Sequence, residues 1–514
     1  MLGRFLSLVG LCLLAVGCSS TPAPDRPNIL FAIWDDVSYP HVSAAGSKMV
    51  STPGFDRVAA EGALFTSAYA PAPGCSPTRA AFLTGRHIWM IEQAGTHASS
   101  FPQVYVSYQD LLERAGYAVG YTGKPWGPGR WEKSGRTRNP VGPGFFARTS
   151  DPPYSGMRNW DYVGNFEAFY EQKPSAQPFS FWVGGSEAHR RFEKGSWRKA
   201  GKKLEDAEVP PFLPDTPEVR EDLLDYAVEV EWFDSHVGRI LEFLEAKGEL
   251  DNTLVIVTSD NGMAFPRAKA NLYDYGIHMP LAIRSPGRGR AGRAIDDMVQ
   301  FVDLTATILD FAGVNHPGGP SELAGRSIRS ILESSDEGLV DPSRTRAFSG
   351  RERHSSSRWS NLTYPQRSMR KGDYLYIRNF KPQRWPAGAP QKYGPGGELE
   401  PMHMAYHDID SSPTLTQLVE QRDDPEIAPF LELAVGKRPA EELFNVVADP
   451  GCLDNLAGKS DHEALLSELR AELEGYLKQT GDPRATGNGG IWDDYIRYSQ
   501  TRDFPKPDEA GPDY

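Results

Sequence analysis

Cys75-Ser76-Pro77-Thr78-Arg79 sets a thiol just ahead of a proline, and the run Ala80-Ala81-Phe82-Leu83-Thr84-Gly85 opens right behind it. Proline is favoured in the first turn of a helix, where its missing N–H would have no partner anyway. The thiol is therefore expected at a helix N-terminus, where free N–H groups and the dipole favour anions. Asp35-Asp36 closes the apolar run Asn28-Ile29-Leu30-Phe31-Ala32-Ile33-Trp34. Two neighbouring carboxylates in a partly desolvated place repel unless a cation joins them. With Asp260-Asn261 they make three carboxylates and one amide oxygen, a hard set suited to calcium or, less well, magnesium. His189 could protonate a leaving atom near neutral pH. Each group also has an inert reading: a disulfide from Cys75 to Cys452, a surface Asp-Asp turn, a loop histidine.

These residues need a scaffold that brings them together. Four apolar runs end in them: Asn28 to Trp34, Ala118 to Thr122 before Gly123-Lys124, Phe179 to Val183 before Glu187-Ala188-His189, and Leu254 to Thr258 before Ser259-Asp260. They alternate with helical patterns at Ser107 to Ala115, Glu218 to Lys247 and Asp303 to Phe311. That alternation implies an α/β fold with a doubly wound, mostly parallel sheet. In such sheets ligands bind beyond the carboxyl ends of the strands. After about Ser349 the pattern changes to a turn and strand at Arg370 to Ile377, a strand at Glu442 to Val446, and a helix near Glu463 to Leu477. The Pro- and Gly-rich stretch Lys381 to Pro401 and the tail from Gly481 are expected to be loops.

Cys-x-Pro-x-Arg running into Leu83-Thr84-Gly85-Arg86 resembles the signature of the type I sulfatases. The resemblance continues in Thr258-Ser259-Asp260-Asn261-Gly262, Phe265-Pro266, Asn271-Leu272-Tyr273 and the C-terminal Glu442-Leu443-Phe444-Asn445 … Asp449-Pro450 … Asn455-Leu456-Ala457. It is strongest toward heparan N-sulfatase (sulfamidase) and its bacterial relatives, which include ulvan sulfatases. It implies an alkaline-phosphatase-like fold with a small C-terminal α+β subdomain. It implies that Cys75 is oxidised to formylglycine by a maturation enzyme. The metal ligands would be Asp35, Asp36, Asp260, Asn261 and the modified Cys75. Lys124 and Lys269 would bind sulfate, Arg79 would hold the modified residue, Asp260 would be the base and His189 the acid.

One position departs from the family. Gly-Lys-x-His is the common pattern, and here it reads Gly123-Lys124-Pro125-Trp126. The role of the lost histidine is open, with His97 as a candidate; His97 and His354 are expected on the substrate side as alternative proton sources, and Trp126 could stack on a sugar or sit in the core. Arg190, Arg191, Lys194, Arg198, Lys199, Lys202 and Lys203 form a basic run just after His189, and Arg351 to Arg358 a second one. Either could lie along a sulfated chain, or be a solvated face.

The net charge of −13 argues against nucleic acid or anionic lipid as general partners. Met1 to Cys18 reads as an export signal with Ala15-Val16-Gly17-Cys18 as a lipobox, too short to span a bilayer permanently. Residues 19–26 then form a tether, 27–368 a catalytic domain and 369–514 a C-terminal subdomain. The expectation is a lipid-anchored sulfatase of a bacterial envelope, in the periplasm or at the outer membrane, acting on a sulfated glycan. A phosphatase or phosphonate hydrolase of the same superfamily and a glycan-binding protein without turnover are the alternatives.

Overall fold

The computed structural model describes residues 26–286 and 289–507. The leader and the acylated Cys18 expected from the sequence lie outside the described residues. Among the described residues, no helix is long and apolar enough to cross a membrane.

The strands are, in chain order, β1 (Asn28–Trp34), β2 (Ala63–Phe65), β3 (Ala68–Tyr69), β4 (Ala118–Gly123), β5 (Phe179–Gly184), β6 (Thr253–Ser259) and β7 (Leu281–Arg284). They continue with β8 (Arg293–Ile295), β9 (Val299–Gln300), β10 (Arg346–Arg351), β11 (Gln366–Lys371), β12 (Tyr374–Asn379) and β13 (Glu441–Asn445). Seven form the central sheet in the order β4-β5-β1-β6-β7-β2-β8. β4, β5, β1 and β6 pair in parallel, so their carboxyl ends share one edge. β7 runs against both of its neighbours, β6 and β2. The sheet is therefore mixed and mostly parallel, with the alkaline-phosphatase-like architecture expected.

β1 is buried along its whole length because both faces of the sheet are covered. Its side chains alternate between faces. Ile29, Phe31 and Ile33 join one core, and Leu30, Ala32 and Trp34 the other. The first core holds the helix Cys75–Thr84, with Phe82 stacked on Phe31 at 4.3 Å between ring centres. The second holds the 30-residue helix Pro217–Ala246, whose stripe includes Leu223, Phe233, Val237, Ile240 and Leu244. Each such side chain contributes roughly 1.5–3 kcal/mol when fully buried.

β10 to β13 form a second, antiparallel sheet. It begins at Arg346, and β11 runs through position 368, so a division between 368 and 369 falls inside a strand. The helix Glu463–Gln479 buries Leu466, Leu469, Leu473 and Leu477 at helical spacing. The stretch 381–401 has no helix or strand beyond an isolated bridge, as expected. The tail departs from the expected loop. It carries short helices at Pro483–Thr486 and Ile491–Asp494, with Trp492 buried. Arg367 explains why the tail is held. Its guanidinium is buried between Glu352 (2.8 Å) and Asp482 (2.7 Å), and a buried cation needs such partners.

Candidate active site

The carboxyl ends of β1, β4, β5 and β6 meet at one buried cluster of charged side chains. The Asp260 N–H donates to the Trp34 carbonyl at 3.2 Å, which ties the end of β6 to the end of β1. Asp36 has φ 67°, a left-handed conformation that aspartate adopts more readily than most residues. Carboxylate oxygens of Asp35, Asp36 and Asp260 all lie within 4.8 Å of one another. Gly123 and Gly184 let β4 and β5 close up: a Cβ on Gly123 would stand 2.0 Å from the Gly184 carbonyl. The Lys124 N–H donates to that carbonyl at 2.7 Å, and the Lys124 ammonium pairs with Asp35.

Cys75 opens its helix behind Gly74 in extended conformation. Its thiol is buried and unbridged, as is that of Cys452, so no disulfide joins them. Burial first, and the Asp35 charge second, push the thiol well above its ordinary range. The Cys75 sulfur, an Asp35 oxygen and a His189 nitrogen lie within 4.8 Å of one another. His189 Nδ1 lies 2.8 Å from the Arg190 carbonyl. A carbonyl only accepts, so Nδ1 carries the hydrogen and Nε2 remains for chemistry. Lys269 first, then burial, hold this histidine below its ordinary range, against Asp35.

The charges are interlocked. Arg79 Nε donates to Asp260 Oδ2 at 2.7 Å, and its Nη1 to the Lys124 carbonyl at 2.7 Å. Lys269 Nζ donates to Asp36 Oδ2 at 2.7 Å and stands 3.0 Å from Asp410. Burial pushes Asp36 up to about 7 despite Lys269, with Asp35 and Asp410 adding to the rise. Burial, with Asp35, pushes Asp260 up to about 6 against Arg79. Asp35 goes the other way: burial would raise it, but Lys124, His189 and Arg79 together hold it below the carboxylate range.

Two oxygens show what this cluster can hold. Asp35 Oδ1 and Asn261 Oδ1 are buried without a hydrogen-bond partner. Unsatisfied buried oxygens cost free energy, and here they border a cluster of three carboxylates. A hard divalent cation satisfies both and relieves the carboxylates that burial resists charging.

Several sequence expectations need correction. Trp126 is not at the mouth of the site; it is 2% exposed, stands edge-on to Phe101 at 5.3 Å, and its Nε1 donates to the Ser76 carbonyl at 3.1 Å. The indole thus supports the helix that carries Cys75, because its large apolar body gains more in the core than in a wet cleft. Arg190 does not face a substrate either. It forms a bidentate pair with Asp222 of the long helix at 2.7 and 2.8 Å and donates to the Ala264 carbonyl. Three more residues of the basic run are paired, Arg198 with Glu221, Lys199 with Glu193 and Lys202 with Glu231. Arg351 and Arg358 are buried on Asp408, each at 2.7 Å, rather than forming a surface patch. His97 and His354 lie side by side at 4.6 Å between ring centres. Burial holds both well down, His354 to about 3, with Lys269 a further cause for each.

One residue of the site has no local sequence signal. Asp410 comes from the loop before the helix Pro413–Glu420, far along the chain from Lys269. Asp408 fixes the loop on one side, and Thr414 Oγ1 fixes it on the other by donating to Asp222 Oδ2 at 2.6 Å.

A family model described as sulfatase matches residues 27–314. The chain belongs to the sulfatase family. This sulfatase is 25% identical over 488 residues to an ulvan-active sulfatase of Formosa agariphila, covering 89% of this chain and 76% of that one. It is 28% identical over 510 residues to human N-sulphoglucosamine sulphohydrolase, covering 92% and 94%. A solved structure in complex with its substrate D-glucosamine-2-N,6-O-disulfate superposes with a TM-score of 0.60 at 20% identity, covering 89% of the sulfatase and 98% of that chain. That last likeness shows the fold. Family and relatives together make the sulfatase a sulfuric ester hydrolase. The family is generally formylglycine-dependent and metal-binding, and the sulfatase has an acidic cluster to match.

Proposed function

We propose that this enzyme removes sulfate from a sulfated polysaccharide of the glycosaminoglycan or ulvan type, using Cys75 converted to formylglycine and a bound calcium. The observation that carries this is the convergence of Cys75, three carboxylates and two lysines in one buried cluster. The polysaccharide class is supported by what the relatives are named for, ulvan in one and N-sulphoglucosamine in the other.

Asp35, Asp36, Asp260 and Asn261 would hold the cation, together with the modified Cys75. When bound, it supplies positive charge at the sulfate oxygens. The modified Cys75 supplies, as a hydrated aldehyde, a hydroxyl to attack sulfur. Asp260 takes the proton from that hydroxyl, while Arg79 fixes the Asp260 carboxylate from behind. Lys124 and Lys269 each keep N–H groups beyond those used by Asp35, Asp36 and Asp410, and these bind sulfate oxygens. His189, with its Nδ1–H held by the Arg190 carbonyl, acts as the acid in its doubly protonated form, giving the second proton from Nε2 to the leaving oxygen or nitrogen. Trp126, in the place of the family histidine, keeps the Cys75 helix in position.

The enzyme would act in the envelope of a bacterium, anchored by a lipid on Cys18 after export, and would depend on a formylglycine-generating enzyme. The test is a panel of defined sulfated saccharides with released sulfate as readout, alongside peptide mass spectrometry of Cys75. Sulfate release with the aldehyde at position 75 is expected. Active protein carrying only the free thiol overturns the mechanism, and no release from any saccharide overturns the substrate class.

A further inference from the structure

Asp410 is a charged residue beside the site that the reaction above does not use. One oxygen stands 3.0 Å from Lys269 Nζ, and the side chain is 30% exposed, whereas Lys269 and Asp36 are nearly closed off. It is not a loose loop carboxylate. Two residues before it, Asp408 accepts from Arg351, Arg358 and the Ser355 N–H. Two residues after it, Ser412 caps the helix Pro413–Glu420 by accepting from the Leu415 N–H at 3.0 Å. Asp410 also lies close enough to His189 and His354 to be felt by both. It therefore stands directly beside Lys269, with part of its side chain exposed.

A carboxylate can only accept hydrogen bonds. The partner it meets in the substrate must be a donor, and it sits beside the lysine that would hold the sulfate. Resting on the proposed glycan sulfatase function, we propose that Asp410 is a specificity-determining residue, binding a free hydroxyl on the sugar carbon next to the sulfated position. The same charge rejects a substrate with a second sulfate on that neighbouring carbon, because two anions meet there with no cation to spare. Lys269 is already shared between Asp36 and Asp410.

The test takes the best-cleaved monosulfated sugar and three companions. One lacks the neighbouring hydroxyl, one carries a second sulfate there, and one is 4-nitrophenyl sulfate, which has no sugar. A hydrogen bond to a charged group corresponds to about a 10- to 100-fold preference. The unaltered enzyme is expected to prefer the hydroxyl over the deoxy sugar by about that factor, and to disfavour the disulfate further. Asp410→Asn should compress both preferences at least tenfold, and Asp410→Ala should do the same if the first variant folds poorly. Thermal unfolding reports folding of each. An equal loss on all four substrates overturns the inference and leaves Asp410 as a support for Lys269. Preferences that persist unchanged in both variants overturn it too. If the unaltered enzyme releases sulfate from no sugar at all, the glycan reading fails first, and this inference falls with it.

Discussion

Arg79 Nε donates to Asp260 Oδ2 at 2.7 Å, and neither side chain reaches solvent. The pair joins the Cys75 helix to the end of β6. Removing one member of a buried ion pair typically costs about 3–5 kcal/mol, because the other charge is left without a partner. Arg79→Ala should therefore lower the urea midpoint by that much stability as well as abolish turnover. A loss below about 1 kcal/mol would mean that the Arg79 charge does little to hold the two elements together.

Metal removal should be visible without any assay of turnover. Elemental analysis is expected to find one calcium per chain, and chelation should lower the unfolding temperature, since a ligand that binds only the folded state stabilises it by mass action. Added calcium should restore it. Asp36→Ala should lose the ion and the calcium-dependent part of the stability together. Full stability and a full ion content in Asp36→Ala would show that the cation sits elsewhere.

His189→Ala separates the acid from the rest of the machinery. General acid catalysis contributes ~100- to 10,000-fold, most where the leaving group is poor. Release of sulfate from a sugar should fall by that factor. Hydrolysis of an aryl sulfate should fall far less, because phenolate leaves without help. Equal losses on both would require another proton source, with His97 and His354, which lie side by side, the next candidates.

Trp126→His restores the residue common in the family but removes an indole from the core. The variant leaves unfilled volume beside Phe101 and drops the bond to Ser76. A loss of about 3 kcal/mol is expected from the cavity, read by chemical denaturation. KM for a saccharide should move little, since the indole does not face the cleft. A large rise in KM with unchanged stability would return Trp126 to the sugar site.

The strands were legible because four apolar runs end in polar residues, and a parallel sheet turns shared ends into shared space. The same logic placed Asp35, Asp260, Lys124 and His189 together from sequence. Trp126 and Arg190 were misread for one reason. Whether an indole or a guanidinium is buried depends on partners such as Phe101 and Asp222, which are distant in sequence and carry no marker of their own. Asp410 was invisible in the same way: its position is set by Arg351, Arg358 and Asp222, each more than fifty residues away.

Asp222 sits on the long helix and grips both Arg190, next to His189, and Thr414, four residues past Asp410. The segments that carry His189 and Asp410 are thus fastened to one carboxylate. The helix beneath is bedded in the core over most of its 30 residues. The spacing of the two segments is accordingly inherited from a buried helix rather than from the loops themselves.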